Sequence, residues 1–275
     1  RLQVGFGGGA EYDPQFRSMW NILSAQRLSA FLFLGDNVYI DHPKQSAVQD
    51  YAYYRRQSVP EYRNFISQTA IYSIWDDHDF GTNDSWGTAA IDSPAWKIPV
   101  WENYKNNWNN PYYGGGEEQP GCWFDFWIGD VHFIMLDGRY YRTGPEAEHP
   151  DMLGPAQEKW LFQTLKESNA TFTVLASPVP WAYGTKPGSD DPWQGFRDQR
   201  ERIFSFIEAQ KIEGLILVSA DRHRSDAWKI PREKGYDFYE FESSKLTNQH
   251  THRIIPGSIF SYNSKCSFGR LKFNT

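Results

Sequence analysis

Residues 30–39 have the sequence AFLFLGDNVY, in which five apolar residues run directly into Gly35, Asp36 and Asn37. A short segment that is apolar at every position predicts a strand covered on both faces, as in layered α/β proteins. The polar residues that follow should then lie at the carboxyl end of a buried strand. In open α/β sheets, ligands bind in the crevice beyond those ends. This stretch therefore predicts both the fold class and the edge at which a site forms.

Three further apolar segments end in charged residues in the same way. Residues 71–75 run into Asp76-Asp77-His78-Asp79, residues 131–136 into Asp137-Gly138-Arg139, and residues 214–218 into the stretch that contains Asp221-Arg222-His223-Arg224. Carboxylate and imidazole groups delivered by separate strands can hold one metal ion or a pair. We therefore predict that the four strand ends converge on one site. Its mostly oxygen donors favour Ca²⁺, Mg²⁺, Mn²⁺ or ferric iron, and the imidazole of His223 also tolerates Zn²⁺.

The remaining pattern predicts a mixed α/β (α+β) protein in which residues 1–275 form a single domain. Other strands are predicted at 2–6, 122–128 and 171–176, and short antiparallel ones at 236–241, 258–262 and 268–273. Helices are predicted at 14–27, 44–57, 94–108, 155–167 and 197–210. Alternating strands and helices followed by a strand-rich tail indicate mixed sheets sandwiched between helical layers.

Composition excludes several classes of function. The chain has 28 Lys and Arg against 34 Asp and Glu, a net charge of −6, and 40% hydrophobic residues. An acidic balance argues against a nucleic-acid-binding surface, and no segment reaches the roughly 20 apolar residues of a membrane helix. Cys122 and Cys266 form one bridge or stay as free thiols. Because Arg1 leads directly into an apolar segment, we expect no export signal within this chain.

Aromatic residues are frequent, with 12 Trp, 16 Tyr and 19 Phe. They form either a core rich in large rings or a cleft with stacking surfaces, as in carbohydrate-active proteins. The two interpretations assign different roles to four tryptophans and one loop. These residues either cover a bound substrate or pack against a helix: Trp86, Trp96, Trp101, Trp108 and residues 112–116.

Other polar residues receive no catalytic role. Gly129-Asp130 is interpreted as a hairpin turn, which places His132 inside the following strand. Asp190-Asp191 lies in the loop 184–195, where it either binds a cation or keeps a turn soluble. The four remaining histidines are interpreted as surface residues or as supports of the ligands: His42, His149, His250 and His252.

At the four strand ends the sequence resembles the phosphatase D (PhoD)-like family of calcineurin-like metallophosphoesterases. The matching pieces are Gly35–Tyr39, Trp75–Asp79, Leu136–Arg142 and Ala220–His223, in the family's order, with Leu153–Leu161 resembling the family's helix start. The resemblance covers about residues 4–224. It implies a four-layer αββα sandwich with mixed sheets and a metal site at the strand ends.

The resemblance also implies a role for each residue. The implied metal ligands are Asp36, Tyr39, Asp77, Asn83, Asp221 and His223. His78 is implied as the general acid or transition-state donor, and phosphate oxygens are gripped by arginines, namely Arg139, Arg222 and Arg224. The family's usual Ser-Cys pair after the first strand is replaced by Gly7-Gly8-Gly9. Loss of this thiolate shifts the donor set toward hard cations.

The implied activity is metal-dependent hydrolysis of a phosphoric ester, by a phosphomonoesterase or phosphodiesterase that uses a metal-bound hydroxide. Two ions are expected, with Ca²⁺, Mn²⁺, Zn²⁺ and Fe³⁺ as candidates, and the expected substrate is a small-molecule or sugar phosphate ester. The resemblance implies a secreted or periplasmic protein, and no oligomeric state is predicted. Two alternatives remain: a metal-stabilised glycan- or phosphate-binding module with altered chemistry, and a carbohydrate-active hydrolase whose carboxylates do acid/base work.

Overall fold

The computed structural model describes residues 1–274, along which strands and helices alternate. The strands are β1 (Leu2–Gly7), β2 (Ala30–Leu34), β3 (Ala70–Ile74), β4 (Phe124–Ile128), β5 (Val131–Met135), β6 (Phe172–Ala176), β7 (Leu215–Ser219), β8 (Ser225–Ile230), β9 (Phe238–Ser243), β10 (Phe260–Tyr262) and β11 (Gly269–Phe273). The helices are α1 (Ser18–Ala25), α2 (Ser46–Gln57), α3 (Pro60–Ile66), α4 (Asp77–Phe80), α5 (Lys97–Asn107), α6 (Pro155–Glu167) and α7 (Arg197–Ala209). Short 3₁₀ helices lie at Pro14–Phe16, Gly116–Glu118 and Trp193–Phe196.

One sheet has the strand order β11-β1-β2-β3, in which β1 to β3 are parallel and β11 runs antiparallel to β1. Because parallel strands end at the same edge of a sheet, the loops after β2 and β3 emerge side by side. Asp36 lies in the first of these loops, and Asp77 is the first residue of α4, which follows the second loop.

The other sheet has the order β10-β8-β9-β7-β6-β5-β4. Its centre is parallel, from β5 through β6 and β7 to β9, while β4, β8 and β10 run antiparallel to their neighbours. The carboxyl end of β7 leads into Asp221 and His223. The two sheets thus supply the two sides of one site.

Successive side chains along the central strands point to opposite faces of the sheet and so belong to two different hydrophobic clusters. Phe133 of β5 packs into the hydrophobic cluster shared with the first sheet, whereas its neighbour Ile134 packs with Leu175 into a second cluster lined by α6 and α7. On the first sheet, Trp20 of α1 lies against Phe33, with ring centroids 6.3 Å apart. Each large apolar side chain removed from water stabilises the fold by about 1.5–3 kcal/mol. The predicted αββα sandwich with mixed sheets is confirmed.

Among the strands and α-helices, three lie outside the sequence-based assignment: α3, α4 and β8. Seven residues in α3 and four in α4 are too few to display helical periodicity. The strand β8, SDAWKI, mixes polar and apolar residues directly after a charged run. In α4 the decisive signal is local, because Asp76 and Asp79 form a reciprocal capping box at its start.

No helix within residues 1–274 combines the length and apolar character needed to cross a bilayer. The cysteines are both free thiols in the described part of the chain, with Cys122 buried and Cys266 half-buried. Of the two alternatives left open by the sequence, the structure therefore selects free thiols over a bridge.

Candidate functional site

The loops after β2 and β7 have an unusual backbone conformation. Asp36 and Tyr39 have φ values of +52° and +55°, and Asp221 and His223 have values of +75° and +47°. Non-glycine residues seldom adopt positive φ, and such residues cluster at functional sites, where the surrounding structure holds them in place. These four conformations turn the side chains back over the ends of the strands.

Asp79 holds the loop after β2 in this shape. Its Oδ1 accepts hydrogen bonds from the backbone N–H groups of Asn37 at 2.9 Å and Val38 at 3.0 Å, and its Oδ2 accepts from that of Asp76 at 3.2 Å. Burial raises the pKa of Asp79 to about 6, and the same backbone donors restrain that rise. Asp79 is therefore a positioning residue behind the site.

A cavity of about 620 Å³ lies where the loops meet. Nine of the ten residues proposed from the sequence line it: Asp36, Tyr39, Asp77, His78, Asn83, Asp221, Arg222, His223 and Arg224. The prediction that separate strand ends converge thus describes the structure for β2, β3 and β7. The roles assigned to the individual residues stay predictions.

Three donors meet at one corner of the cavity. The hydroxyl of Tyr39 lies 3.1 Å from Oδ2 of Asp36 and 3.0 Å from Nε2 of His223. Asn248 adds a hydrogen bond from its Nδ2 to the same hydroxyl at 2.8 Å. Burial and the Asp36 carboxylate raise the pKa of Tyr39. Formation of a phenolate there needs a nearby cation, which this donor set suits.

Asp36 also faces Asp77 and His78, and these three residues offer ligand atoms within 4.8 Å of one another. Oδ1 of Asp36 is buried and has no hydrogen-bond partner among residues 1–274. Burial first, and then the charges of Asp77 and Asp76, raise the pKa of Asp36 well above its ordinary value. An unpaired buried carboxylate is costly unless a cation compensates it, so the site fits a metal ion.

His78 sits at the start of α4 between two partners. Its Nδ1 lies 2.6 Å from Oδ1 of Asp41, and its ring stacks on Tyr39 with centroids 4.6 Å apart. Burial lowers the pKa of His78, but the hydrogen bond to Asp41 and the charge of Asp77 outweigh it and raise the pKa to about 9. The imidazole is oriented with Nε2 available to a ligand in the cavity.

Cations line the opposite side of the cavity. Arg222 and Arg224 are both anchored to the carbonyl of Thr185, at 3.2 and 3.1 Å. Lys186 lies 2.8 Å from a carboxylate oxygen of Asp84 and 3.6 Å from one of Asp221. Burial opposes charge on Lys186, yet the carboxylates around it raise its pKa. Each of these cations also has a carboxylate partner, since Arg224 donates to Asp226 at 2.6 Å and Arg222 lies 3.4 Å from Asp221. Their positions are therefore fixed, and their positive charge is partly compensated.

Arg139 lies outside the cavity, which corrects the expectation that it grips phosphate oxygens. Its side chain is fully buried, with Nε donating to Asp76 at 2.6 Å and Nη1 donating to Asp191 at 2.8 Å. This guanidinium is paired with two buried carboxylates and is not among the residues that line the cavity. Arg139 instead braces Asp76, the residue that caps α4 in front of His78.

Asp191 matches neither alternative considered for the loop 184–195. It is buried, and its carboxylate lies 2.8 Å from Arg139, 3.0 Å from Arg142 and 3.0 Å from Lys186. The loop thus contributes a buried anion that joins three basic side chains. Its neighbour Asp190 is exposed.

The end of β1 supplies no ligand because the backbone fills that space. A Cβ on Gly8 would lie 2.7 Å from the carbonyl oxygen of Gly35, and one on Gly9 would overlap the carbonyl oxygen of Ser244. Gly9 also has a φ of +64°. The glycines therefore allow the chain segments around the site to approach closely.

Replacing Gly9 with Ala is expected to lower the free energy of unfolding by at least about 2 kcal/mol, since positive φ alone costs a non-glycine residue about 1–2 kcal/mol. The clash with Ser244 adds to this. Gly129→Ala is the matched control, because Gly129 has a φ of +59° and nothing within 4 Å of its added Cβ. Equal losses in urea unfolding for both variants would contradict the close-approach argument.

Several cavity residues have no signal in the sequence. Lys186, Asn248 and His250 come from loops far along the chain, and His252 lies beside them. His223, His250 and His252 offer ring nitrogens within 4.8 Å of one another. Only the i, i+2 spacing of His250 and His252 hints at a pair, and the sequence-based interpretation gave them no ligand role.

Most of the tryptophans considered as substrate contacts belong to the hydrophobic core. Trp101 and Trp108 of the α5 region are buried, and Trp96 packs against the same core cluster. His132 lies inside β5, hydrogen-bonded to Asp125 at 2.9 Å, and Gly129-Asp130 forms the β4–β5 turn as predicted. The cavity is therefore lined mainly by charged groups rather than by a platform of rings.

The chain is similar to known proteins over most of its length. The chain is 23% identical over 278 residues to alkaline phosphatase D of Bacillus subtilis (strain 168), covering 82% of this chain and 46% of that protein. It superposes on a solved structure of PhoD with a TM-score of 0.78 and 18% identity, over 98% of this chain and 63% of that one. The chain thus spans about half the length of the curated relative that it matches.

A more distant fold neighbour is GAP50, described as the anchor in the inner membrane complex of Plasmodium. It has a TM-score of 0.52 and 11% identity, over 98% of this chain and 80% of that one. A family model for PhoD-like phosphatases matches residues 4–254, which is most of the sequence. The chain therefore belongs to the PhoD-like phosphatase family.

Proposed function

We propose that this protein is a metal-dependent phosphoric ester hydrolase. The observation that carries the proposal is the buried carboxylate of Asp36, whose Oδ1 has no partner within residues 1–274 while Tyr39, Asp77 and His223 converge around it. Such a group calls for a cation, and phosphoryl transfer is the chemistry that paired cations promote. Membership of the PhoD-like family supports the same class of reaction.

The ligand sets suggest two ions that share Asp36. One set consists of Asp36, Tyr39 and His223, and its phenol and imidazole suit Fe³⁺, Mn²⁺ or Zn²⁺; the other consists of Asp36 and Asp77 with Asn83 and Asp221 at the cavity wall, and its oxygens suit Ca²⁺. When bound, the metals supply a water of lowered pKa as the nucleophile and offset charge on the phosphoryl oxygens.

Protein side chains would carry out proton donation and phosphate binding. His78, held by Asp41, is placed to donate a proton or hydrogen bond to the leaving oxygen. Arg222 would contact the phosphoryl oxygens that face away from the carboxylates, and Lys186 and Arg224, each already paired with a carboxylate, would add positive charge at the cavity wall. Fixed cations of this kind favour the transition state, in which negative charge develops on those oxygens.

The substrate we propose is a small phosphate ester, monoester or diester, with a sugar phosphate as one possibility. The cavity of about 620 Å³ has room for an organic group beyond the phosphate, and its lining is charged on two sides. The family resemblance also leads us to propose a secreted or periplasmic location. Fractionation of the source cells with an antibody against this chain would test that location.

The function is tested by p-nitrophenol release from p-nitrophenyl phosphate and bis(p-nitrophenyl) phosphate. We expect chelator-treated protein to be inactive and activity to return on addition of Ca²⁺, Mn²⁺, Zn²⁺ or Fe³⁺. Elemental analysis of untreated protein should give at least two ions per chain, the number that a paired site holds. No turnover of either ester under any metal condition would contradict the proposal.

Asp36→Asn is expected to remove at least one bound ion and to abolish turnover. Because burial raises the pKa of Asp36, its charged form destabilises the metal-free fold at neutral pH, so the neutral amide should make the chelator-treated protein more stable. Urea unfolding with and without metal measures both effects. Asp190→Asn, an exposed carboxylate next to the buried Asp191, is the control. Unchanged metal content in the Asp36 variant would refute its role.

The alternatives have less support. Carbohydrate hydrolysis needs two available carboxyl groups, but Asp76 and Asp79 are buried in structural hydrogen bonds, which leaves Asp77 from that cluster in the cavity. A binding module would bind metal and phosphate without turnover. Metal content of about two ions combined with inactivity toward both esters would favour it.

A further inference from the structure

We propose that His223, His250 and His252 form a three-imidazole site for one divalent transition-metal ion such as Zn²⁺. The inference rests on the proposed function to the extent that His223 also belongs to the set with Asp36 and Tyr39. It adds a metal at the mouth of the cavity, outside the carboxylates. The three residues offer ring nitrogens that lie within 4.8 Å of one another.

The spacing of the rings is close to that of a metal site. Nδ1 of His223 and Nδ1 of His250 are 3.0 Å apart. Two Zn–N bonds of about 2.0–2.1 Å in a tetrahedral site place their nitrogens roughly 3.3 Å apart. The ring centroid of His252 lies 4.5 Å from that of His250 and 5.4 Å from that of His223. Small rotations of the side chains therefore bring three nitrogens onto one ion.

His223 can serve this site because its two ring nitrogens face in different directions. Nε2 lies 3.0 Å from the hydroxyl of Tyr39, whereas Nδ1 faces His250. In a neutral imidazole one nitrogen carries the proton and the other has a free lone pair. If Nε2 is a ligand in the set with Asp36 and Tyr39, coordination through Nδ1 requires the ring to lose its proton to solvent and to bridge the two ions as an imidazolate. The imidazole ring then links the proposed ion to the carboxylate-rich part of the cavity.

The loop that carries the other two histidines is fixed by polar contacts. The backbone N–H of His250 donates to Oδ1 of Asn248 at 2.7 Å. Thr251 Oγ1 donates to the carbonyls of His223 at 3.3 Å and Asn263 at 3.1 Å, and Nδ2 of Asn263 donates to the carbonyl of His252 at 3.0 Å. Ligands held in this way need little ordering when an ion binds, which favours a specific site.

The donor set determines the class of ion. Three imidazole nitrogens favour Zn²⁺, Co²⁺, Ni²⁺ or Cu²⁺ over Ca²⁺ and Mg²⁺, which prefer oxygen ligands. His250 is exposed and His252 is half-buried, so an ion has an open path from solvent. Solvent also supplies a ligand for the fourth coordination position, as in zinc sites with three protein ligands.

The test is titration of chelator-treated protein with Co²⁺ in saturating Ca²⁺, which fills the oxygen sites. The wild type is compared with His250→Gln/His252→Gln and with His149→Gln, a control that removes an exposed histidine outside the cavity. We expect two Co²⁺ equivalents in wild type and control, one in the set with Asp36 and Tyr39 and one at the three imidazoles. The double variant should bind the second equivalent at least about 100-fold more weakly and lose its share of the visible absorption.

An unchanged band and affinity in the double variant would overturn the inference. A second measurement needs no variant: Cu²⁺ bound to the wild-type protein should show electron paramagnetic resonance splitting from three nitrogens, and splitting from fewer would overturn it. Because neither spectrum requires hydrolysis, the result is independent of whether the protein turns over phosphate esters. His78→Gln should keep the Co²⁺ band, since His78 lies outside the three-imidazole site.

Discussion

His78→Gln should lower the turnover of phosphate esters by roughly 10²–10⁴-fold, the contribution typical of a positioned acid or base. The hydrogen bond between Nδ1 and Asp41 at 2.6 Å, together with the stacking on Tyr39, holds the imidazole at the cavity wall. Glutamine keeps a polar side chain of similar reach but donates no proton at neutral pH. The measurements are kcat on p-nitrophenyl phosphate and metal content by elemental analysis, with metal content expected to stay unchanged.

The two measurements separate two roles for this residue. His78 also offers a nitrogen within 4.8 Å of ligand atoms on Asp36 and Asp77, so a ligand role would appear as lost metal. His149→Gln is the matched control, because His149 is exposed and does not line the cavity. Wild-type turnover in the His78 variant would remove it from the mechanism. A fall in both turnover and metal content would make it a ligand instead.

The second large effect is on stability. Asp191→Asn is expected to lower the free energy of unfolding by about 3–5 kcal/mol, the cost of leaving a buried charge without its partner. The carboxylate is 4% exposed and lies within 3.0 Å of Arg139, Arg142 and Lys186. Asparagine keeps the shape but leaves three cations uncompensated. Urea unfolding at neutral pH measures the change.

The pH dependence of this difference follows from the direction of the pKa shift. Burial raises the pKa of Asp191, but Arg139, Arg142 and Lys186 outweigh it and hold the pKa well below its ordinary value. The stabilisation is therefore present above the unfolded value of about 3.9 and is lost as pH falls through the folded value. The gap between wild type and variant should stay constant at neutral pH and narrow in acid. Asp190→Asn, at an exposed position, should change stability by about 0.5 kcal/mol or less.

The fold was largely readable from patterning. β2 and α6 have the predicted bounds, and most other elements differ by one to three residues. Segments apolar at every position, such as residues 30–34, are informative because a strand buried on both faces has this pattern, and five residues bounded by turn residues are too short for a typical buried helix. The elements that escaped prediction are short or locally capped, and α4 exists because of hydrogen bonds between Asp76 and Asp79 rather than because of any period.

The sequence predicted residues of the site only where those residues directly follow a strand. Asp36, Asp77 and Asp221 each lie within three residues of an apolar segment, so topology alone placed them at one edge. Arg139 also follows a strand, but its side chain is buried because the guanidinium pairs with both Asp76 and Asp191. Which way a long side chain turns depends on partners distant in sequence, and no local pattern records them.

The sequence by itself determined the layered fold, the edge that carries the site and the chemical nature of most groups in it. Strand periodicity and the placement of polar residues at strand ends are local properties, so they can be read from one chain. Only the tertiary structure decided that Asp79 and Arg139 support the site from behind, and that Lys186 and His250 line it. Those assignments depend on contacts between segments tens to more than a hundred residues apart, because charge compensation and burial arise only when the chain is packed.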